Sequence, residues 1–266
     1  MFRFISGNTI KCALRVGDNY LTKNKNPIIN YAVEGKNNNF TVFKEYKKII
    51  PLLSFNYSIA LKLSSFDFDL KLINEIINDA ENKNIKVFID AENNKNNEIY
   101  QEISTDLLFK HNNVYKTYQM YRKDSLKVLM NDIIKCNKNN KIFSGKIVRG
   151  AYWQAEKNEG HLFIKKEETD KSYNQAILNM HNYHFNKNPN IVLATHNEKS
   201  IDLARLLNED LFEFAHLQGM KECYYNNICK TSNVYVYIPY GPYNKMIPYL
   251  SRRLYENIDM LKYFIY

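Results

Sequence analysis

The stretch YSIALKLSSFDFDLKLINEIINDAENKNIKVFID, residues 57–90, decides the fold. It opens on a short apolar run, YSIALKL (57–63), and closes on another, IKVFID (85–90). Runs this short, β-branched and nearly continuous in apolar residues suit strands buried on both faces, as in a parallel sheet. Between them Leu70, Ile73, Ile76, Ile77 and Ala80 recur at helical spacing and make one apolar face. The stretch therefore predicts strand, helix, strand.

The same alternation extends in both directions. PIINYAV (27–33) precedes the stretch, and NVYKTYQ (113–119), GKIVRG (145–150), NIVLATH (190–196), LFEFAHL (211–217) and VYVYIPY (234–240) follow it. Further helical faces are Ile99, Ile103 and Leu107, then Ile201, Ala204 and Leu207. A last helix, Tyr243 to Leu261, carries Ile247, Leu250, Leu254 and Ile258 on its buried side. Eight strands alternating with helices predict a (β/α)8 barrel, with an open doubly wound sheet as the alternative. No linker, repeat or Ser/Gly-rich spacer breaks the pattern, so residues 1–266 read as one domain, long enough for a sizeable core.

Composition narrows the function classes. The 37 Lys and Arg exceed the 28 Asp and Glu by nine, which gives a basic surface. The lysines are scattered among asparagines, as in NKNNK (137–141), and no basic block interleaved with aromatics points to nucleic acid. No apolar run is long enough to span a membrane. Cys12, Cys136, Cys223 and Cys229 form no CxxC pair and complete no zinc pattern, so free thiols and no metal site are expected. The N-terminal MFRFISGNTIKCALRVG lacks an acid until Asp18 and reads as an opening helix, with a short import signal as the alternative.

In such a barrel the chemistry sits at the C-terminal strand ends. Those ends read Lys62, Asp90, Gln119, Arg149, His196, Leu217 and Tyr237, and all but Leu217 are polar. KIVRGAYWQAE (146–156) ends a strand on Gly-Ala, small residues that allow close approach of backbone N–H groups to a ligand, or simply a tight turn. It is no P-loop, since Ala-Tyr follows where Lys-Ser/Thr is required, and there is no GxGxxG. ATHN (194–197) offers donors and acceptors at another strand end. In YLSRRLYEN (249–257), Tyr249, Arg252, Arg253 and Glu256 share one side of the last helix. That stripe is either a solvated face or a carboxylate clamp in which two guanidiniums grip one small acid.

Taken in order, IALKLS (59–64), FIDAE (88–92), YQMY (118–121), KIVRGAYW (146–153), ATHN (194–197), LQGM (217–220), YIPYGP (237–242) and YLSRRLYEN (249–257) resemble the FAD-dependent proline dehydrogenases. The resemblance runs from about Asn30 to Asn257 and implies a distorted (β/α)8 barrel with the last helix over the active site. It implies FAD, oxidation of L-proline to Δ1-pyrroline-5-carboxylate by hydride transfer from C5 to flavin N5, and a membrane quinone as electron acceptor. By resemblance, Arg252 and Arg253 grip the proline carboxylate with Lys62, while Tyr152, Leu217, Tyr237 and Tyr249 wall the ring. Asp90 corresponds to an aspartate that orders Lys62, and Lys146 to a basic residue near flavin N5, where many relatives carry Arg. Ala91, Gln119, Val148, Arg149, Gly150, Ala151, Trp153, Thr195, His196, Asn197 and Glu256 correspond to flavin contacts.

The sequence departs from the family in places. It reads YAVEG where relatives carry Leu-Gly-Glu, and Gln218 stands where Tyr or His is common. No second dehydrogenase domain is seen, so a separate pyrroline-5-carboxylate dehydrogenase is expected as partner. The positive surface favours peripheral contact with an anionic membrane, which a quinone-reducing enzyme would visit. The expected location is mitochondrial, on the matrix side of the inner membrane, for a eukaryotic source, and otherwise cytoplasmic at the inner membrane. Competing readings are a flavin-binding protein without turnover and a basic nucleic-acid binder.

Overall fold

A computed structural model describes residues 4–32, 39–244 and 246. Among them are all eight expected strands: β1 (Lys25–Tyr31), β2 (Ser58–Leu61), β3 (Lys86–Ile89), β4 (Val114–Gln119), β5 (Ser144–Val148), β6 (Asn190–Ala194), β7 (Phe212–Leu217) and β8 (Val234–Tyr240). They form a closed barrel in chain order. Every residue of β2 and of β4 is buried, which is what strands flanked by helices on one face and a filled interior on the other require. The helices are α1 (Ile10–Leu21), α2 (Asn39–Ile49), α3 (Leu70–Glu81), α4 (Asn97–Lys110), α5 (Ser125–Lys138), the short α6 (Trp153–Glu156), α7 (Lys166–Asn182), α8 (Glu198–Asn208) and α9 (Glu222–Ile228).

The chain divides into two compact units, one of the residues up to Asp90 with those from His216 onward, the other Ala91–Ala215. In the first, β8, β1, β2 and β3 pair in parallel, with Ile28 opposite Tyr237 and Ser58, and Ser58 opposite Lys86. Helix α3 begins where Asp69 accepts the N–H groups of Lys71 and Leu72 at 2.9 and 3.2 Å, satisfying two of the helix's orphan donors. Ile73, Ile76, Ile77 and Ala80 are buried as the pattern predicts, whereas Leu70, at the first turn, is exposed.

In the second unit, β4, β5, β6 and the start of β7 pair in parallel, with Lys116 opposite Gly145 and Ile191 opposite both Gly145 and Phe212. Helix α4 buries Tyr100, Ile103, Ser104, Leu107 and Leu108, so its core face is turned from the Ile99–Ile103–Leu107 line and Ile99 is exposed. Lys116 and Asp132 form a buried ion pair at 2.8 Å that fixes α5 to β4, and Tyr118 donates to the same carboxylate at 2.9 Å. Burial drives the Lys116 ammonium below its usual range despite Asp132. All four cysteines are free. Among the described residues no helix is long and apolar enough to cross a membrane. Tyr249, Arg252, Arg253 and Glu256, on which the expected carboxylate clamp rests, lie outside the described residues.

Candidate active site

The register of each unit states which side chains share a face. In the first unit Lys86, Phe88 and Asp90 alternate along β3, and Tyr235 and Tyr237 along β8. The Tyr237 hydroxyl donates to Asp90 Oδ2 at 2.5 Å, and the Lys86 ammonium donates to the Tyr235 hydroxyl. Strands β8 and β3 are not neighbours, since β1 and β2 lie between them. Both bonds therefore span the face turned away from the helices. Asp90 extends the ladder past the end of β3, its N–H bonding Leu61 O at 2.8 Å, so Lys62 and Asp90 are the next register pair beyond Leu61 and Ile89. Tyr237 sits in the middle of β8 rather than at its end, and its reach brings the phenol to the strand-end aspartate.

Leu217 ends β7, and its loop is pinned from behind. Glu222 accepts from Tyr20 at 2.6 Å, from Lys25 at 2.9 Å and from the Gly219 N–H at 3.0 Å. His216 stacks on Tyr225 at 4.2 Å, and burial pulls its pKa down to about 4, so the ring is neutral. The Gln218 N–H bonds Tyr237 O at 3.0 Å and ties this loop to the strand that carries the phenol. Neither Glu222 nor the cluster around it was legible from spacing, because its side-chain partners Tyr20 and Lys25 lie some 200 residues away in sequence.

In the second unit Lys116 and Tyr118 face helix α5, so Thr117 and Gln119 face the other way. Lys146 pairs with Thr117 and Val148 with Gln119, which puts Lys146 and Val148 on that same inner face. Gln119 is 4% exposed and donates to Glu92 O at 2.9 Å, and Lys146 is 5% exposed. Arg149 lies one residue on and turns to the helices. Its guanidinium bonds Asp170 at 2.6 Å, the Thr195 hydroxyl and Ser200 at 3.0 Å, and lies 4.3 Å over the Tyr173 ring. Asn197 caps α8 by accepting the Ser200 N–H at 3.3 Å, and its N–H bonds Thr195 Oγ1 at 3.1 Å. Arg149, Thr195 and Asn197 are thus one network, and Asp170 and Ser200 are members that no motif announced. His196 lies between Thr195 and Asn197, partly exposed.

Gly150 follows with φ +139°, and a Cβ there would lie 2.3 Å from a Tyr121 ring carbon. Tyr121 is held in turn, its N–H on Arg149 O at 2.7 Å and its hydroxyl on Glu156 at 3.2 Å. Ala151, Tyr152 and Trp153 come next, partly buried, with the Trp153 indole N–H on Phe163 O at 3.0 Å. Ala91 is partly buried just beyond β3.

These residues fit a flavin nucleotide. Thr117 Oγ1 is buried without a hydrogen-bond partner beside Lys146, so the inner face holds polar groups suited to the heteroatom edge of an isoalloxazine. The side-chain-free turn at Gly150 and the positive first turn of α8 suit the ribityl and diphosphate portions.

A family model described as proline dehydrogenase matches residues 17–263. Proline dehydrogenase 1, mitochondrial, of Caenorhabditis elegans is 28% identical over 206 residues, covering 69% of this chain and 33% of that protein. Its namesake in Arabidopsis thaliana is 30% identical over 276 residues, covering 93% of this chain and 54% of that protein. The chain thus spans about a third to a half of these relatives' length. The crystal structure of proline utilization A from Bdellovibrio bacteriovorus, inactivated by N-propargylglycine, superposes with a TM-score of 0.87 at 19% identity, over 96% of this chain and 32% of that one. At that identity the likeness shows the fold.

Proposed function

The chain belongs to the proline dehydrogenase family, and we propose that it oxidises L-proline to Δ1-pyrroline-5-carboxylate with FAD as cofactor. The observation that carries this reading is the Tyr237–Asp90 hydrogen bond beside Lys62, which assembles a phenol, a carboxylate and a cation at strand ends. A small zwitterion needs such a set, a cation for its carboxylate and shaped walls for its ring.

Lys62, with Arg252 and Arg253, binds the proline carboxylate. Tyr237, Leu217, Tyr152 and Tyr249 pack on the ring and exclude water. Asp90, held by the Tyr237 hydroxyl, keeps Lys62 in place. The amine must be unprotonated when C5 loses its hydride, because its lone pair forms the C5=N bond. FAD, when bound, supplies the two-electron acceptor for that hydride at N5. Gln119, Ala91, Val148, Lys146 and Trp153 would hold the ring system, and the small Gly150 and Ala151 would let the chain pass close to it. Thr195, His196 and Asn197, fixed by Arg149, hold the nucleotide end, and Glu256 meets the ribityl chain or an arginine of the clamp.

A membrane quinone takes the electrons onward, and the basic charge, +9, favours contact with an anionic bilayer. A pyrroline-5-carboxylate dehydrogenase activity consumes the product. The relatives named mitochondrial support a mitochondrial location if the source is a eukaryote; within it we propose the matrix side of the inner membrane, and in a bacterium the cytoplasmic face of the inner membrane.

The test is turnover of purified protein with L-proline and an artificial electron acceptor. Activity that Arg252→Met reduces through a raised KM, with the flavin spectrum intact, supports the reading. No proline-dependent reduction in flavin-loaded protein contradicts it.

A further inference from the structure

We infer that Glu213 is the carboxylate that positions Lys146, the two side chains meeting across Val192 on the inner face of the second unit. The register states the placement. Thr117 pairs with Lys146, Lys146 with Val192, and Val192 with Glu213, so one row crosses β4, β5, β6 and β7. Paired residues of parallel strands point to the same face. Thr117 faces away from the helices, because Lys116 and Tyr118 on either side of it bond Asp132 of α5. Lys146, Val192 and Glu213 share that orientation. The row one residue pair below it behaves the same way, with Asn190 donating to Ser144 Oγ at 3.0 Å across β5 and β6.

Two strand spacings separate the Lys146 and Glu213 backbones, about 9.5 Å, which two long side chains pointing the same way can close. The charge of Glu213 is felt at Tyr115, two residues before Thr117 on β4. The Tyr115 phenol is held well above its usual range first by burial and then by the Glu213 charge. The Glu213 charge thus reaches β4 across β5 and β6, and Lys146 is on β5 between the two strands. A mostly buried ammonium needs such a counter-charge. Glu213 is a positioning residue: it holds and aims the Lys146 side chain, and on the flavin reading above it thereby sets the field near N5.

The first test needs no flavin. The flavin-free chain is pulse-labelled with an amine-acylating reagent, and Lys146 modification is read by mass spectrometry, with Lys116, buried on Asp132, as the internal control for general loosening. Glu213→Gln should raise Lys146 labelling severalfold at fixed pH, since loss of the carboxylate releases the side chain from the contact that holds it. Glu213→Asp should stay near the parent, and Lys116 should not change. Unchanged Lys146 labelling in Glu213→Gln, or an equal rise at Lys116, overturns the proposal. The second test uses flavin-loaded protein. Glu213→Gln should shift the two-electron reduction equilibrium about tenfold toward reduced flavin, about 30 mV. In a Lys146→Met background the shift should be lost, because Glu213 acts through Lys146. Equal shifts in both backgrounds overturn the proposal. A parent chain that binds no flavin refutes the flavin reading instead, and leaves the labelling test standing.

Discussion

Replacing Gly150 by alanine tests the turn that follows β5, and its cost can be worked from two independent features. The backbone there has φ +139°, a conformation that L side chains rarely adopt, at a cost of about 1–3 kcal/mol. The added Cβ would also meet Tyr121 at 2.3 Å, far inside the ~3.5–4.0 Å of an ordinary carbon contact. The ring cannot easily yield, since Tyr121 is 2% exposed and bonded at its hydroxyl to Glu156. Overpacking of this kind costs about 1–3 kcal/mol more. The sum, roughly 2–6 kcal/mol, corresponds to a melting temperature lower by roughly 5–20 °C. Gly160→Ala is the control: φ is +80° and nothing lies within 4 Å of its Cβ, so only the backbone cost remains. Differential scanning calorimetry of both variants, with flavin content measured alongside, separates the terms. Gly150→Ala should melt well below Gly160→Ala and retain less flavin. Equal melting temperatures would refute the close packing of Tyr121 under the turn.

Lys116→Met leaves Asp132 buried without its cation and should cost about 3–5 kcal/mol in denaturant unfolding, whereas Lys116→Met with Asp132→Leu should recover much of it. Tyr237→Phe removes a charge-assisted hydrogen bond worth about 1.5–3 kcal/mol and should raise the KM for proline about tenfold or more, with the flavin spectrum unchanged. His216 is neutral in the fold with a pKa of about 4, against an ordinary value of 6.5, so the unfolded chain binds the extra proton. Its contribution is complete above pH 6.5 and is lost as pH falls toward 4, by about 3 kcal/mol. His216→Gln should lose less stability than the parent over that window in thermal melts.

The strands were legible because burial on both faces leaves them apolar throughout, and VYVYIPY coincides with β8 from end to end. The bounds of others move: β1 starts two residues before PIINYAV, at Lys25, and YSIALKL shrinks to Ser58–Leu61, with Lys62 leading into the next turn. Helix α4 misled because its buried stripe is five residues wide and centres on Tyr100, Ile103 and Leu107, leaving Ile99 outside. Strand-end residues such as Asp90 and Gln119 were visible, since a polar group closing an apolar run stands out. Their holders were not. Asp170, Ser200, Glu156 and Glu222 sit on helices among other polar residues, and only the fold brings them to Arg149, Tyr121 and Lys25. The pairing of Val192 with Glu213 is likewise a property of register, which no local pattern carries.

The most direct measurement is the visible absorption spectrum of the purified, flavin-loaded chain before and after anaerobic addition of L-proline. Loss of the oxidised-flavin band on mixing, absent with D-proline, is the predicted result. A bound flavin whose spectrum proline leaves untouched would contradict the proposed oxidation.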